Sequence, residues 1–333
     1  MILVTGATGF IGGHLAQRLV HEGHRVRCLV RANSDTTLLD ELGVEAVVGD
    51  LTSPPSLAAA ADGCRCVLHC GARVSDWATV KEIAGVNVDG TRNLLEACVG
   101  ASVQRFVHFS TTDVYGYPGG AAIDEAHVAT RFRNWYAQTK LEAEAEVRRA
   151  EIDAVILRPA TVYGPRSTDV VGEIARAIRG GHMILIDGGR AIAGLCFVDN
   201  LVDAAILALD HDAARGQAFN VSDGLDVTWR QFTDDLAKGL GSARVRWRVP
   251  YWLASAAGFS LEHGYRLLRR TTRLDTRPLL SRQAVHVMGI DQDFSNRKAR
   301  ELLGWEPRID YAAGLEATLA WLRAEGVEHP DRS

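Results

Sequence analysis

The sequence has few cysteines, little net charge and no long apolar run, and each shortage excludes a class of protein. Six cysteines in 333 residues are too few for a disulfide scaffold. This sparse use suits a reducing compartment, so we expect a cytoplasmic protein. A formal net charge of -4 gives no overall positive field to attract nucleic acid. Because no stretch of 18 consecutive apolar residues is present, a membrane-spanning helix is excluded.

The first residues also lack the pattern of a secretion signal. A β-type apolar run begins at Ile2, which leaves no room for a basic segment followed by an apolar signal core. The remaining composition, 47% hydrophobic and 23% charged, is typical of a soluble globular protein. At about 150 residues per domain, the length predicts two lobes or one large one.

Three of the six cysteines cluster with a histidine, as Cys64, Cys66, His69 and Cys70, which raises the question of a metal site. The segment from Cys66 to Cys70 has the pattern of a buried strand, in which successive side chains point to opposite faces. Such side chains cannot converge tetrahedrally on one ion. We therefore expect no metal and interpret these cysteines as small buried hydrophobic residues.

Short β-branched runs alternate with helical stretches through the first half of the chain. After the first run, Ile11, Leu15 and Leu19 recur at helical spacing. Strict alternation predicts parallel strands with helices on both faces, which is a doubly wound Rossmann fold of class α/β. The candidate strands are Ile2–Thr5, Val26–Val30, Ala46–Val48, Val67–His69, Arg105–Ser110 and Ala154–Leu157.

The rhythm loosens after about Pro165, and aromatic and basic residues become more frequent. We expect residues 1–165 and about 190–222 to form the dinucleotide-binding domain. Residues about 166–189 and 223–333 are expected to form a smaller, mostly helical substrate lobe.

A helical stretch from Pro250 to Leu268 stands out in that lobe. It ends in a basic group, Arg266, Arg269, Arg270 and Arg273. One interpretation is an amphipathic helix that covers the cleft and has a solvated basic end. The other is a membrane-surface or anionic-ligand role.

A glycine-rich turn follows the first predicted strand directly. Gly6, Gly9 and Gly12 occur where a tight turn, a close pyrophosphate approach and close helix packing require glycine. The predicted helix begins at the end of this turn, so its free N–H groups would face a pyrophosphate. The context of strand, turn and helix predicts a dinucleotide site.

The end of the second predicted strand bears on the choice of coenzyme. Val30 or Arg31 stands where an NAD enzyme would place an acidic residue on the ribose 2′-OH. Arg31 would bind a 2′-phosphate and can stack on adenine, so NADP is favoured over NAD. Asp50, after the third strand, either accepts a hydrogen bond from the adenine amino group or is an ordinary turn aspartate.

Tyr136 and Lys140 are four residues apart, which places them on one face of a predicted helix. A phenol with a pKa near 10 acts as an acid/base near neutrality only if its pKa falls by about three units, which requires roughly 4 kcal/mol of stabilisation of its charged form. An ammonium about 4 Å away at an effective dielectric of 20 supplies about that much. Thr111, at the carboxyl end of the fifth predicted strand, offers a hydroxyl for a substrate oxygen; a capping role for this Ser/Thr run is the alternative.

Together these motifs resemble the extended short-chain dehydrogenase/reductase superfamily, from residue 1 to about 325. Within it, the pattern Arg158-Pro159-x-x-x-Tyr163-Gly164-Pro165 is most similar to the 3β-hydroxysteroid dehydrogenase-like branch. The motifs occur in order: the glycine turn, Asp50, Leu68–Ala72, Asn87–Thr91, the Thr111 strand end, the Tyr136/Lys140 pair, Leu157–Pro165, Arg277–Leu279 and Lys298–Pro307.

The resemblance implies roles for single residues. Tyr136 would be the general acid/base, Lys140 would lower its pKa and hold the nicotinamide ribose, and Thr111 would be the catalytic hydroxyl, with Thr112 as the substitute. Asn87 would anchor a helix near the coenzyme. The residues expected to hold the coenzyme are Gly6, Thr8, Gly9, Phe10, Ile11, Gly12, Arg31, Asp50, Leu51, Gly71, Ala72, Ser110, Tyr136, Lys140, Pro159 and Val162.

The implied activity is NAD(P)-dependent interconversion of a secondary alcohol and a ketone on a largely apolar small molecule. A homodimer is usual for the superfamily. The first alternative is a nucleotide-sugar epimerase, for which the basic stretch 266–282 would hold a diphosphate. Dehydratases of that group carry Thr-Asp-Glu where this chain has Thr111-Thr112-Asp113, so their aspartate acid is missing. The second alternative, a non-catalytic dinucleotide sensor, commonly lacks the Tyr/Lys pair.

Overall fold

The computed structural model describes residues 1–74, 78–129, 134–269 and 282–325, and within 262–269 only the backbone. Its centre is a seven-stranded parallel sheet with the strand order β10-β6-β5-β4-β1-β2-β3. This order confirms the doubly wound α/β fold. The strands of the sheet are β1 (Ile2–Thr5), β2 (Val26–Val30), β3 (Glu45–Val48), β4 (Cys66–His69), β5 (Arg105–Phe109), β6 (Ala154–Pro159) and β10 (Ala218–Val221).

Four short strands form two further parallel pairs, β7 with β9 and β8 with β11. Their bounds are β7 (Thr161–Tyr163), β8 (Ile184–Ile186), β9 (Leu195–Phe197) and β11 (Trp247–Val249). The helices are α1 (Phe10–His21), α2 (Thr37–Glu41), α3 (Pro54–Ala61), α4 (Val80–Ala84), α5 (Gly90–Gly100), α6 (Trp135–Arg149), α7 (Glu173–Arg179), α8 (Val198–Asp210), α9 (Trp229–Gly239), α10 (Tyr251–Arg269), α11 (Arg282–Gly289), α12 (Arg297–Leu303) and α13 (Tyr311–Ala324).

The sheet is covered on both faces because its strands carry apolar side chains on both. Val4 and Leu68 belong to the core on the side of α1 and α8, whereas Leu3 and Val67 belong to the core on the side of α3 and α5. This alternation follows from the period of two in a strand. Cys66 likewise packs in the first of these cores, as the sequence predicts for a buried hydrophobic residue.

The order of the sheet reverses between β1 and β4, because β2 and β3 lie on one side of β1 and β4 to β6 on the other. In doubly wound folds this reversal opens a crevice at the carboxyl ends of the strands. The glycine turn after β1 and Gly71 after β4 border this point. The fold therefore places the predicted dinucleotide motif at the position where such sheets bind ligands.

The carboxyl-terminal part is mostly helical. A separate apolar cluster joins α7, α9 and α13 to the short strands, with Trp229, Phe232 and Tyr163 among its fully buried side chains. Helices α10 and α11 pack together over the β8/β11 pair through Ile186, Ala254 and Val285. None of the described helices is both long and apolar enough to cross a bilayer. The proposed division into two lobes stays a prediction.

Candidate active site

The glycine turn has the close packing that its sequence predicts. Gly6 has φ +69°, a conformation that side chains disfavour. A Cβ on Gly12 would lie 2.2 Å from the Gly6 carbonyl oxygen, so the helix α1 can follow β1 this closely only with glycine there. Thr8 and Gly9 are exposed at the tip, while Phe10 and Ile11 begin the helix. The exposed turn, free helix N-terminus and absent side chains fit a dinucleotide pyrophosphate.

Gly71 brings the chain after β4 against this turn. A Cβ on Gly6 would lie 2.8 Å from the Gly71 nitrogen, and one on Gly71 would lie 3.2 Å from Leu51 Cδ1. Leu51, Gly71 and Ala72, all expected to contact the coenzyme, therefore lie around the point where the sheet order reverses.

His69 has a structural role that the sequence analysis did not find. Thr91 donates its hydroxyl proton to the Asn87 carbonyl, so it accepts a bond from His69 Nε2 at 3.0 Å. His69 Nδ1 then accepts from the Thr5 hydroxyl at 2.7 Å, and Thr5 Oγ1 accepts from Gly71 N–H. Burial, together with the charge of Lys140, lowers the pKa of His69 to about 3, so the ring stays neutral. The chain of bonds fixes the loop after β4.

Arg31 follows β2 and Asp50 follows β3, on the side of β1 that is away from β4. Arg31 is exposed. Asp50 Oδ1 accepts bonds from the Thr52 backbone nitrogen at 2.8 Å and from its hydroxyl at 2.6 Å. These bonds lower the pKa of Asp50, with a smaller contribution from Arg31. The Asp50 side chain is thus a turn aspartate, and whether it also contacts adenine stays a prediction.

Tyr136 and Lys140 occupy the first turns of α6, as the spacing predicts. Asn134 caps this helix by accepting a bond from the Ala137 nitrogen at 2.6 Å. Lys140 is buried and donates to the Phe109 carbonyl at the end of β5, with its Nζ 3.4 Å from His108 Nε2. The cap and this bond set the position of α6 against β5.

The expected effect of Lys140 on the phenol does not appear in this conformation. Burial raises the pKa of Tyr136, and the negative charge of Asp113 raises it further. Lys140 interacts with Phe109 instead, and burial lowers its own pKa to about 8. Burial is thus the main influence on the pKa of the phenol in this arrangement. The effect of Lys140 on Tyr136 stays a prediction.

Thr111 follows β5 and begins a 3-10 turn, Thr112–Tyr115, that packs against α6. Its hydroxyl accepts a bond from the Asp113 nitrogen at 3.2 Å. Thr111 is partly exposed while Thr112 is buried, so Thr111 is the better placed of the two for a substrate. The capping interpretation is also correct, since one hydroxyl does both. Ser110, just before it, is buried.

Asn87 connects the loop after β4 to α6. It lies in a π-helical turn, Gly85–Asp89, between α4 and α5. Its amide donates to the Arg73 carbonyl at 3.2 Å and to Thr139 Oγ1 at 3.3 Å, and its oxygen accepts from the Arg73 nitrogen at 2.7 Å. Asn87 thus anchors α6 beside the crevice, in line with its expected role.

A buried ion pair below the site was not found by the sequence analysis. Arg158 donates to both oxygens of Glu144, at 2.8 and 2.6 Å, and to the Tyr115 hydroxyl at 2.9 Å. The Tyr115 hydroxyl in turn donates to Asn220 at 2.6 Å. This network ties α6 to β6, to the turn after β5 and to β10. The sequence offered one sign of this pair: Glu144 lies one turn beyond Lys140 on the same helical face, which faces the protein interior.

Pro159 is the last residue of β6 and is buried, whereas Val162 lies in β7 and is partly buried. His14, another residue that the sequence analysis missed, ties α1 to this region. Its Nε2 is 3.0 Å from the Pro165 carbonyl, and its Nδ1 is 3.1 Å from Asp199 Oδ1. The glycine helix and the segment after β7 are therefore held together.

Comparison with known proteins identifies the family. A family model described as the NAD dependent epimerase/dehydratase family matches residues 2–222. The chain belongs to this family. Across the described residues, no group of three or more His, Cys, Asp or Glu side chains is placed to hold a metal.

Curated relatives of this family member extend over nearly the whole chain. It is 32% identical over 320 residues to a 4-hydroxy-2-methyl-3-oxo-4-farnesyl-3,4-dihydroquinoline-1-oxide ketoreductase of Stigmatella aurantiaca, with 94% of each chain covered. It is 31% identical over 348 residues to a 3 beta-hydroxysteroid dehydrogenase/Delta 5-->4-isomerase of Mycobacterium tuberculosis, covering 96% of this chain and 90% of the relative. The resemblance to the extended short-chain dehydrogenase/reductases is confirmed.

A solved structure supports the same assignment. MoeE5 in complex with UDP-glucose and NAD superposes with a TM-score of 0.76 at 25% identity, covering 97% of this chain and 99% of that one. The chain is therefore an NAD(P)-dependent short-chain dehydrogenase/reductase that acts on CH–OH groups.

Proposed function

We propose that this enzyme reduces a ketone on a largely apolar small molecule, or oxidises the matching secondary alcohol, with Tyr136 as the general acid/base. The observation that carries the proposal is the arrangement of α6. This helix packs against the 3-10 turn after β5, its first turns carry Tyr136, and Lys140 bonds to the last residue of β5. This is the same sheet edge that carries the glycine turn.

A bound nicotinamide coenzyme would supply or accept the hydride. On this chain, Tyr136 Oη would donate a proton to the substrate oxygen, and the Thr111 hydroxyl would hold that oxygen in place. The raised pKa of Tyr136 keeps the phenol protonated at neutral pH, as a proton donor requires. The names of both curated relatives, a ketoreductase and a hydroxysteroid dehydrogenase, support the same reaction class.

Finer parts of the proposal depend on single features. NADP is favoured over NAD because exposed Arg31 stands where a carboxylate would select NAD. We expect the coenzyme contacts to follow the residues predicted from the sequence, and a homodimer and a cytoplasmic location remain part of the proposal.

The test is turnover by the purified protein, followed by nicotinamide absorbance with a series of apolar ketones and alcohols. Tyr136→Phe should bind coenzyme normally and lose at least about 100-fold in kcat, the usual contribution of a general acid/base. Tyr311→Phe is the matched control, because that hydroxyl bonds to Asp235 on α9. Near-normal turnover by Tyr136→Phe would remove Tyr136 from the role.

The second candidate is a nucleotide-sugar epimerase, which the family description and the UDP-glucose in the MoeE5 structure favour. Thr112 in place of an aspartate counts against a dehydratase. The same preparation distinguishes the two functions: an epimerase would convert UDP-sugars without net change in nicotinamide absorbance and would retain NAD through purification.

A further inference from the structure

An apolar surface remains exposed where the β8/β11 pair meets α10. Trp247, Trp252 and Phe259 are 67%, 70% and 51% exposed. They are three of the four exposed aromatic side chains in the part of the chain that the structure describes, and they fall within thirteen consecutive positions. Large aromatic side chains that remain in water in this way mark an interaction surface.

On α10 these residues form one stripe. Trp252, Ala256 and Phe259 are spaced by four and three residues, so they lie on the same helical face, and all three are exposed. Ala254 and Gly258, on the opposite face, are buried against the rest of the protein. The helix therefore buries one side and presents an apolar stripe on the other, with Leu253 beside it at 45% exposure.

The strand pair continues this surface. Trp247 and Val249 share one face of β11, because they are two residues apart. Val249 packs with Tyr251 and Ile186 in the cluster under α10, so Trp247 lies on the same face, beyond the part that the helix covers. Ile184, which pairs with Trp247 in register, is also exposed. We call Ile184, Trp247, Trp252, Leu253 and Phe259 the apolar surface.

The segment that carries the apolar surface is basic, and two carboxylates lie near it: Asp234 pairs with Arg244 at 2.6 Å, and Asp187 accepts a bond from the Tyr251 nitrogen at 2.8 Å. Arg244, Arg246 and Arg248 are exposed beside Trp247, and residues 240–261 contain no acidic residue. The guanidinium of Arg282 lies 5.6 Å from the centre of the Phe259 ring. The chain as a whole carries -4, so this local positive rim runs against the overall charge.

We propose that the apolar surface docks on an anionic phospholipid bilayer, with the aromatic side chains in the interface and the arginines on lipid phosphates. Tryptophan, phenylalanine and leucine on one side and arginine around them are the composition of interfacial helices. A second copy of the chain fits less well, because a twofold contact would bring the exposed Arg246 and Arg248 of one copy toward those of the other.

The docking surface is one helix away from the candidate active site. Gln283, at the start of α11, donates to the Asp113 carboxylate at 2.9 Å. Docking would then bring the crevice to a bilayer in which an apolar substrate dissolves. This consequence rests on the proposed function, whereas the docking itself does not.

The experiment is flotation of the full chain with vesicles of equimolar phosphatidylcholine and phosphatidylglycerol, compared with vesicles of phosphatidylcholine alone. The protein should float with the anionic vesicles and be released by high salt. The double variant Trp252→Ser/Phe259→Ser should weaken the partition coefficient about tenfold or more. Val99→Ser/Leu302→Ser is the matched control, since both side chains are exposed apolar residues elsewhere, and it should float like the wild type.

The charge contribution has its own pair of variants. Arg246→Gln/Arg248→Gln should weaken partition about 30-fold, at the usual contribution of an arginine near an anionic surface. Arg149→Gln/Arg297→Gln removes two exposed arginines elsewhere and should leave at least most of the binding intact. Circular dichroism of every variant checks folding.

The proposal is overturned by no flotation of the wild type, by equal loss in the matched controls, or by a dimer in solution that Trp252→Ser/Phe259→Ser dissociates while vesicles remain unbound. Binding to heparin or single-stranded DNA without vesicle binding also overturns it. Because flotation needs no turnover, a failure of docking is distinguishable from a failure of the proposed reductase activity, which the Tyr136→Phe assay measures.

Discussion

The crevice has two regions that are built in opposite ways. We call the glycine turn after β1, together with Arg31 after β2, its coenzyme end, and the carboxyl ends of β5 and β6 its catalytic end. At the glycine turn, backbone segments approach so closely that a Cβ on Gly12 would meet the Gly6 carbonyl at 2.2 Å. At the end of β5 and β6, buried polar side chains hold the site, as in the Arg158–Glu144 pair. One end depends on side chains that are absent and the other on side chains that must be paired. An added methyl should therefore damage the first end, and a removed partner the second.

The largest effect is expected from the buried ion pair. Arg158→Met leaves the Glu144 carboxylate without its main partner in a site where its side chain is 1% exposed, so the free energy of unfolding should fall by about 3–5 kcal/mol. Arg148 also contacts Glu144, at 3.2 Å, but is 46% exposed. Arg148→Met should therefore lose no more than about 1 kcal/mol. Denaturant unfolding measures both, and equal losses would show that burial does not set the strength of the pair.

The pH dependence of stability tests Lys140 at the same end. Burial lowers the pKa of Lys140 from its ordinary 10.5 to about 8. Between these values the unfolded chain binds the proton and the folded chain does not, so stability rises with pH across this window and the full penalty applies below it. Relative to Lys140→Met, the wild type should gain at most about 3 kcal/mol between pH 8 and 10.5.

Unfolding midpoints of the two proteins across this pH range give the difference directly. Lys238→Met is the control, because it removes an exposed lysine on the surface of α9. A difference between wild type and Lys140→Met that stays constant with pH would mean that the ammonium is not desolvated.

The coenzyme end should respond to an added methyl. Gly12→Ala forces a Cβ against the backbone of Gly6 and Ala7, and overpacking of this kind costs about 1–3 kcal/mol. Since the displaced atoms belong to the turn that we propose holds the pyrophosphate, the dissociation constant for coenzyme should rise about tenfold to a hundredfold. Titration of coenzyme by fluorescence measures it. Gly100→Ala is matched, since nothing lies within 4 Å of a Cβ there, and an effect as large as that of Gly12→Ala would contradict the packing argument.

The same contrast explains what the sequence could predict. Strands β1 and β2 begin and end at the predicted residues, because their apolar runs stop at local signals. The seventh strand, β10, was missed: its four residues include Asn220, a polar residue that becomes buried only by bonding to Tyr115 and Ile123 far away in the chain. Short strands fixed by distant partners leave no periodic signal.

The candidate site divides in the same way. The glycine turn could be predicted because the residue type itself encodes the geometry. The sequence does not show that Glu144 and Arg158 form a buried pair, because only the fold brings them together. The same holds for His14 and Asp199, which are 185 positions apart. The spacing of Tyr136 and Lys140 could predict that they share one helical face, but it could not predict that burial raises the pKa of the phenol.

The smallest effect is expected at the outer edge of the coenzyme end, where a side chain sets specificity. Arg31→Asp places a carboxylate where it would repel a 2′-phosphate and accept the ribose 2′-OH of NAD. The ratio of kcat/KM for NADPH over NADH should fall about tenfold, or about 1.4 kcal/mol, since the site is exposed to solvent. Arg25→Asp makes the same charge change at the other end of β2 and should leave the ratio unchanged. If both variants alter the ratio equally, net charge rather than a contact at Arg31 selects the coenzyme.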